Sequence, residues 1–512
     1  MILRKKLISN TFYLLLDWFS VSLLSFFYWL IAGKTLLPQE YGIVSTSVNL
    51  INLLSGIAIF GLGTAVWKLI PEYLAKRQKK KVSGLIKFSL KAILISNLLI
   101  ATLLLIFYPF LTSVLKVPFT VIFIVAISLI ILSFSNQLGS ILYGFQNMRK
   151  VFTTHVAGHL TKIIVAAFLI FLGFSYFGPI IGFAVGFLLT ALLRIGSIRL
   201  RTQAESIDKK FVMLEYALPA FIASLALIVF SNSQYIILTS ITNPEVTGIF
   251  TVAMILTSLI AVIPGTLTTA LFAIISQLSG AMNAKERQSH LIQLVLRYAL
   301  FLSLPAAIFL VLFSKQVILI FSRPEYLVAS QIFPILALAA IIYGCGNIFL
   351  SNLYAIGKTK INRNITIVMT LIFLASSIPL TYMFFSLDPS NKILPAFGLS
   401  LAYIFSVSIL FFLSFFYLRK FITIILPLKT ILKLVVASLV SLAFLYLVTR
   451  FTSGILSFCL AIIAGIIYLA ILLPLKFYSK EDIEIIKYAA EKLPFKKRIL
   501  GLAEFLSKYT QK

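Results

Sequence analysis

The chain has 512 residues, of which 60% are hydrophobic and 12% charged, against roughly a quarter charged in a soluble domain; a water-soluble globular protein is excluded and a polytopic membrane protein takes its place. The 44 basic and 15 acidic residues leave a net charge of +29, which in a membrane chain marks cytoplasmic loops rather than a nucleic-acid surface. Cys345 and Cys459 lie inside apolar runs with no CxxC spacing, which argues against a disulfide frame or a cysteine metal site.

The start, MILRKKLISN, is basic like a secretory signal, but no small-residue cleavage site follows and the next apolar run is of spanning length. It is read as a first span that is retained. Runs of about 20 apolar residues, enough to cross ~30 Å as a helix, recur near 12–32, 43–67, 88–111, 119–143, 152–173 and 178–193. Six more follow near 216–239, 246–276, 291–313, 332–354, 365–385 and 395–418, and two last near 431–450 and 454–475. The expected fold is all-α with 14 transmembrane helices.

Two polar turns organise this order. Leu37-Pro38-Gln39-Glu40-Tyr41-Gly42 is answered 206 residues on by Asn243-Pro244-Glu245-Val246-Thr247-Gly248, and LYGFQNMRKV from Leu142 is answered 211 residues on by LYAIGKTKIN from Leu353. Two echoes at nearly one offset indicate an internal duplication. The expected domains are a six-helix bundle over 1–205, its copy over 206–420, two further helices over 421–475 and a tail over 476–512. In the tail, Ile483, Ile486, Ala490 and Leu493 recur at helical spacing among basic residues. That pattern suits a broken amphipathic helix on the lipids of the anionic cytoplasmic leaflet. With the N-terminus inside, 37 of the 44 basic residues fall on inner segments and six on outer ones, so both termini are expected in the cytoplasm.

An ionisable side chain inside a span is costly and therefore a functional candidate. On the fifth span His155, His159 and Lys162 stand at i, i+4 and i+7, one helical face. Lys162 lies about 15 Å in at 1.5 Å per residue, too deep to snorkel. The HxxxH pair has no carboxylate or cysteine near it in sequence, so polar lining is expected rather than a metal site. Asp17 is the one carboxylate well inside a span; it can pair with Lys162 or another cation, or carry a coupling proton or sodium ion. Lys68 and Glu72 have the spacing of a local ion pair. Lys68, Arg194 and Arg297 are cations at expected inner helix ends. Asn49, Asn232, Gln234 and Asn352 add neutral polar groups that can meet sugar hydroxyls or join helices. No GxxxxGK[ST] loop, nucleophile elbow or paired outer acids occur, so neither an enzyme nor a cofactor is expected.

The stretch GKTLLPQEYGIVSTSVNLINLLSGIAIFGLGTAVWKLIPEY, with LYGFQNMRKV after the fourth span, resembles the Wzx-type oligosaccharide flippases of the multidrug/oligosaccharidyl-lipid/polysaccharide exporter superfamily. The resemblance implies two MATE-like six-helix bundles around a V-shaped lumen that opens to each side in turn, plus two C-terminal helices. It implies movement of a polyprenyl-pyrophosphate-linked oligosaccharide from the inner to the outer leaflet of the cell membrane. Glycosyltransferases or a glycan polymerase would be neighbours, and nucleic acid has no part. Relatives hold the pyrophosphate with basic lumen residues, a role that would pass to Lys162, a residue fixed by no motif, with His155, His159, Lys68, Arg194 and Arg297 as further candidates. The drug-extruding branch uses an acidic residue on its first helix, where Asp17 stands, so a cation-coupled multidrug exporter is the alternative.

Overall fold

A computed structural model describes residues 2–198, 204–278, 284–424, 428–449, 455–479, 481–484, 487 and 501. These form α1 (Ile2–Thr35), α2 (Pro38–Ile59), α3 (Leu62–Ala75), α4 (Lys79–Ile106), α5 (Tyr108–Leu115), α6 (Phe119–Gly144), α7 (Met148–Phe171) and α8 (Phe177–Ile195). Next, α9 (Lys209–Phe211) passes through a π-helical turn, Val212–Ala217, into α10 (Leu218–Ile241), followed by α11 (Pro244–Leu278), α12 (Ala284–Leu312) and α13 (Ser314–Phe321). After a 3₁₀ stretch, Pro324–Gln331, come α14 (Phe333–Ala355), α15 (Thr359–Leu387), α16 (Leu394–Arg419), α17 (Leu428–Thr449) and α18 (Ile455–Ile471). Among the described residues, 13 helices are long and apolar enough to cross a membrane, each over one of the expected runs. The remaining run is α18, whose 17 residues lie at the short end of the spanning range. This is a multi-pass, all-helical membrane protein. Most of the expected amphipathic tail, including Ile486, Ala490 and Leu493, lies outside the described residues.

The echoed turns begin helices by the same chemistry. Pro38 and Pro244 open α2 and α11, where a missing N–H costs nothing and φ is already helical. A side-chain oxygen satisfies a free amide at each: Glu40 Oε2 accepts from Leu37 N at 2.9 Å, and Asn243 Oδ1 from Val246 N at 3.1 Å. The eight-residue helices α5 and α13 also stand 206 residues apart.

The expected second span is not one helix. α2 stops at Phe60 and Gly61, both left-handed at φ 49 and 70, and α3 starts anew. Gly61 is seated so tightly that a Cβ there would lie 2.0 Å from Ala217 O. Only glycine combines that φ with that approach.

Helix packing divides the chain into two compact units that interleave along the sequence. Unit 1 holds Met1–Ile255, Gln316–Ile335 and Arg363–Ser406. Its core includes Val66, Ile70, Leu85, Ile86 and Ile141 of α3, α4 and α6. Unit 2 holds Leu256–Lys315, Leu336–Asn362 and Val407–Lys512. Within it α12, α14, α16 and α17 surround an apolar cavity of about 270 Å³ lined by residues such as Leu300, Cys345, Phe411 and Ile431.

Candidate functional site

The polar groups of unit 1 are placed by a close crossing of α7 and α8. A Cβ on Gly158 would lie 1.8 Å from Thr190 Oγ1, and one on Gly186 would lie 2.7 Å from Lys162 Cβ. Small residues let the two backbones touch, which is how helices associate where lipid removes the hydrophobic drive. Lys162 is thereby pressed into the bundle and only 4% exposed. The cleft bordered by Gly158, His159, Lys162, Gly186, Phe187 and Thr190 is too tight to admit water.

α1 lies along α7, and three pairs form in step down the two helices. Asp17 meets His155, whose Nδ1 lies 2.9 Å from Oδ1 and 3.1 Å from Oδ2. Ser25 Oγ lies 3.4 Å from His159 Nδ1. Tyr28 presents its ring to the Lys162 ammonium, which stands 4.3 Å from the centroid, with the Phe183 ring 5.8 Å away. The Tyr28 hydroxyl donates to Pro179 O of α8 at 2.9 Å and so fixes the ring. The structure thus brings together His155, His159, Lys162 and Asp17, but the partner of Asp17 is His155 and not Lys162. Among the described residues Lys162 has no carboxylate; aromatic faces attract its charge without neutralising it. Asp17, His159 and Lys162 are each at most 7% exposed.

The other candidate cations lie elsewhere. Arg194, 1% exposed, donates from Nη1 to Ser135 O at 2.6 Å and from Nε to Thr154 Oγ1 at 3.2 Å. It pins α6, α7 and α8 together, in a space kept free by Gly139, while its Nη2 has no partner among the described residues. Lys68 is exposed and stands 4.6 Å over the Tyr216 ring. The expected Lys68–Glu72 pair does not form: Glu72 bonds Lys76 at 2.7 Å, the orientation with glutamate N-terminal to lysine that suits a helix best. The Lys76 ammonium holds the Glu72 carboxyl below its ordinary range. Arg297 belongs to unit 2 and clamps the start of the tail, donating to Phe477 O at 3.0 Å and Ser479 Oγ at 3.2 Å and pairing with Asp482. Asn49, Asn232 and Asn352 donate to carbonyls one turn back in their own helices.

Sequence reasoning missed Tyr28, Ser25 and Phe183. The signal for the first two was spacing: residues 17, 25 and 28 share a face of α1 at i, i+8 and i+11. Nothing in an aromatic-rich chain set Phe183 apart. Among the described residues no group of three or more His, Cys, Asp or Glu side chains could hold a metal ion.

Comparison with solved structures places this fold among membrane transporters. The lipid II flippase MurJ in an inward closed conformation is similar at a TM-score of 0.68 and 20% identity, over 90% of this chain and 98% of that one. An inward-facing multidrug resistance MATE family transporter of the MOP superfamily gives 0.64 and 18%, over 78% and 94%. An outward-facing MATE family transporter gives 0.52 and 16%, over 81% and 95%. No curated protein matches the chain in sequence. Residues 219–383 match the MatE family. Residues 7–279, more than half of the sequence, match the polysaccharide biosynthesis protein family, and the chain belongs to that family.

Proposed function

We propose that the protein is a flippase that carries a polyprenyl-pyrophosphate-linked oligosaccharide from the cytoplasmic to the outer leaflet of the cell membrane by alternating access, for surface polysaccharide or glycan synthesis. Both termini are cytoplasmic in this reading. The residues 1–205 and 206–420 are the two rocking repeats, with 421–475 as two accessory helices and 476–512 as a membrane-surface tail. Glycosyltransferases supply the substrate on the inner side, and a polymerase or ligase consumes it outside.

One observation carries the reading: a lysine ammonium buried in a span against aromatic rings, with no carboxylate bonded to it among the described residues. Among the described residues of 1–205, the buried lysine and arginine are Lys162 and Arg194, and the one buried carboxylate is Asp17. An anionic ligand offsets the lost hydration of the ammonium as a carboxylate would. Access comes from α1, whose most apolar window is only 11% buried and which covers the α7 face. Its displacement would uncover Asp17, His155, His159 and Lys162 at once. The test is deletion in the host followed by complementation of surface glycan and identification of the lipid-linked glycan that accumulates inside. No accumulation, with surface glycan intact, would end this reading.

A second reading, a cation-coupled multidrug exporter, is favoured by one contact, Asp17 on the first helix hydrogen-bonded to His155. It predicts dye efflux by the purified protein in vesicles, lost in Asp17→Asn.

A further inference from the structure

Past the break at Phe60–Gly61, α3 carries Thr64, Trp67 and Lys68 exposed on one face. That face lies beside a row on α6 made of Asn136, Ser140 and Tyr143, at i, i+4 and i+7, of which Asn136 is exposed. The two helices touch at Gly63, where a Cβ would lie 2.8 Å from Ser140 Oγ and 3.7 Å from Gln137 Oε1. Trp67 and Tyr143 set their rings side by side, with centroids 5.5 Å apart and planes at 40°, and Trp67 is 53% exposed. Gln137 is fully buried, yet neither its Oε1 nor its Nε2 has a hydrogen-bond partner among the described residues. Tyr143 also lies within electrostatic reach of Asp17 and Arg194, which ties this place to the polar groups around α7.

We propose that this is a sugar subsite, in which one ring of the glycan stacks on Trp67 and bonds the amide of Gln137. It rests on the transport reading above: α3 and α6 both end on the side taken there as cytoplasmic, where the glycan is made. The chemistry suits a sugar and not lipid tails, which offer no partner to Thr64, Lys68 or Asn136. A pyranose has an apolar C–H face and a rim of hydroxyls. An aromatic plane takes the first, and a side-chain amide, donor and acceptor together, takes the second. A ring wall with a few convergent polar groups is the make-up of a small-molecule site. Gln137 is the independent observation. A buried amide with both atoms unpaired is costly and calls for a reason, and a tryptophan that merely anchors a helix at the membrane surface supplies none. Two neighbouring sugar hydroxyls satisfy it, one accepting from Nε2 and one donating to Oε1. The approach is over Gly63, where no side chain intervenes.

The experiment reads Trp67 alone. The chain has three tryptophans, so the full-length protein with Trp18→Phe and Trp29→Phe reports from Trp67 only. In nanodiscs it is titrated with free oligosaccharide released by mild acid from the host's surface polysaccharide, and acrylamide quenching is measured. The sugar is expected to shield Trp67, and inorganic pyrophosphate is expected not to. Gln137→Leu is expected to weaken the sugar about five- to tenfold, with thermal stability held or raised because two unpaired polar atoms are gone. No shielding by the sugar, or shielding by pyrophosphate alone, overturns the subsite. So does unchanged affinity in Gln137→Leu, or a fall in its stability that marks the amide as structural. In complementation, Trp67→Phe keeps a ring and is expected to retain most transport, whereas Trp67→Leu at equal membrane level is expected to lose it; equal outcomes count against the stacking. Accumulation of lipid-linked glycan on deletion without shielding keeps the flippase and removes the subsite. Shielding without accumulation keeps the subsite and removes the flippase.

Discussion

The faces of α7 and α15, two helices that start 211 residues apart as the echoes LYGFQNMRKV and LYAIGKTKIN do, answer the same structural problem with opposite chemistry. At the 211-residue offset, His155, His159 and Lys162 correspond to Thr366, Thr370 and Phe373. In α15 the threonine at 370 donates to Ala226 O of α10 and to its own Thr366 O, each at 2.9 Å. Phe373 is fully buried and packs edge-on against Phe230, with ring centroids 5.2 Å apart, and against Tyr403 at 6.5 Å. The close crossing is kept: Gly398 on α16 approaches α15 at Leu380 O as Gly182 on α8 approaches α7 at Lys162 O. The scaffold thus needs a close α7–α8-type crossing and a filled interior. It does not need charge there, since α15 fills the place at the same offset with a phenyl ring. The ammonium on α7 is therefore retained at an energetic cost, and that cost points to use.

The strongest way to break this comparison is to give α7 the residue of α15. Lys162→Phe is expected to reach the membrane with thermal stability equal to or above that of the wild type and to abolish complementation, as Lys162→Ala is also expected to. Lys162→Arg keeps part of the transport, because a planar fork replaces a compact ammonium. Full complementation by Lys162→Ala would remove Lys162 from the site.

Next comes Asp17→Asn, which leaves His155 without its carboxylate. A destabilisation of roughly 1–3 kcal/mol is expected from the lost charge-assisted bond, read as thermal unfolding in detergent. A loss of transport with unchanged stability would instead favour ion coupling through Asp17. Gly186→Ala places a methyl 2.7 Å from Lys162 Cβ. Forcing the helices apart is expected to cost about 1–3 kcal/mol, while Gly196→Ala, which meets nothing nearer than 3.8 Å, is expected to cost far less in the same assay. In α15, Thr370→Val removes the hydroxyl shared between Ala226 O and Thr366 O, worth about 1 kcal/mol, and is expected to leave transport intact. A transport defect there would show that the two faces are not divided as described.

The smallest effect belongs to the exposed Glu72–Lys76 pair. Its carboxyl is held below the usual range by the Lys76 ammonium. The stabilisation it brings is therefore present above the ordinary carboxylate pKa and fades as pH falls through the lowered one. Thermal unfolding of Glu72→Gln and wild type is expected to differ slightly at neutral pH and to converge in acid.

Much of this was legible in the residues because membrane helices announce themselves. Among the described residues, thirteen of the expected runs carry a helix long enough to cross a membrane, the second of them broken at Phe60–Gly61, and the i, i+4, i+7 spacing of His155, His159 and Lys162 put all three against α1. The turn echoes were legible too, since proline and a capping oxygen act locally. What was hidden depends on distant partners. The break at Phe60–Gly61 lies in an unbroken apolar run and is imposed by Ala217, a residue far along the chain. Arg297 reads as a rim cation, yet it is taken up by Asp482, 185 residues later. Glu72 had a lysine four residues away on each side, and Lys68 is drawn instead to Tyr216.

The Asp17–His155 bond has a consequence for how the chain is made. Its partners are 138 residues apart, so α1 enters the bilayer with a carboxylate whose partner does not yet exist. An aspartate at the middle of a lone helix costs about 2.5–3.5 kcal/mol on the insertion scale, and Asp17, five residues inside the span that starts at Phe12, carries part of that cost. That penalty is removed only when α7 leaves the insertion machinery and docks. The first helix is thus inserted on credit: a nascent chain stopped before Met148 should hold α1 weakly in the membrane, and one extended past Phe171 should hold it firmly.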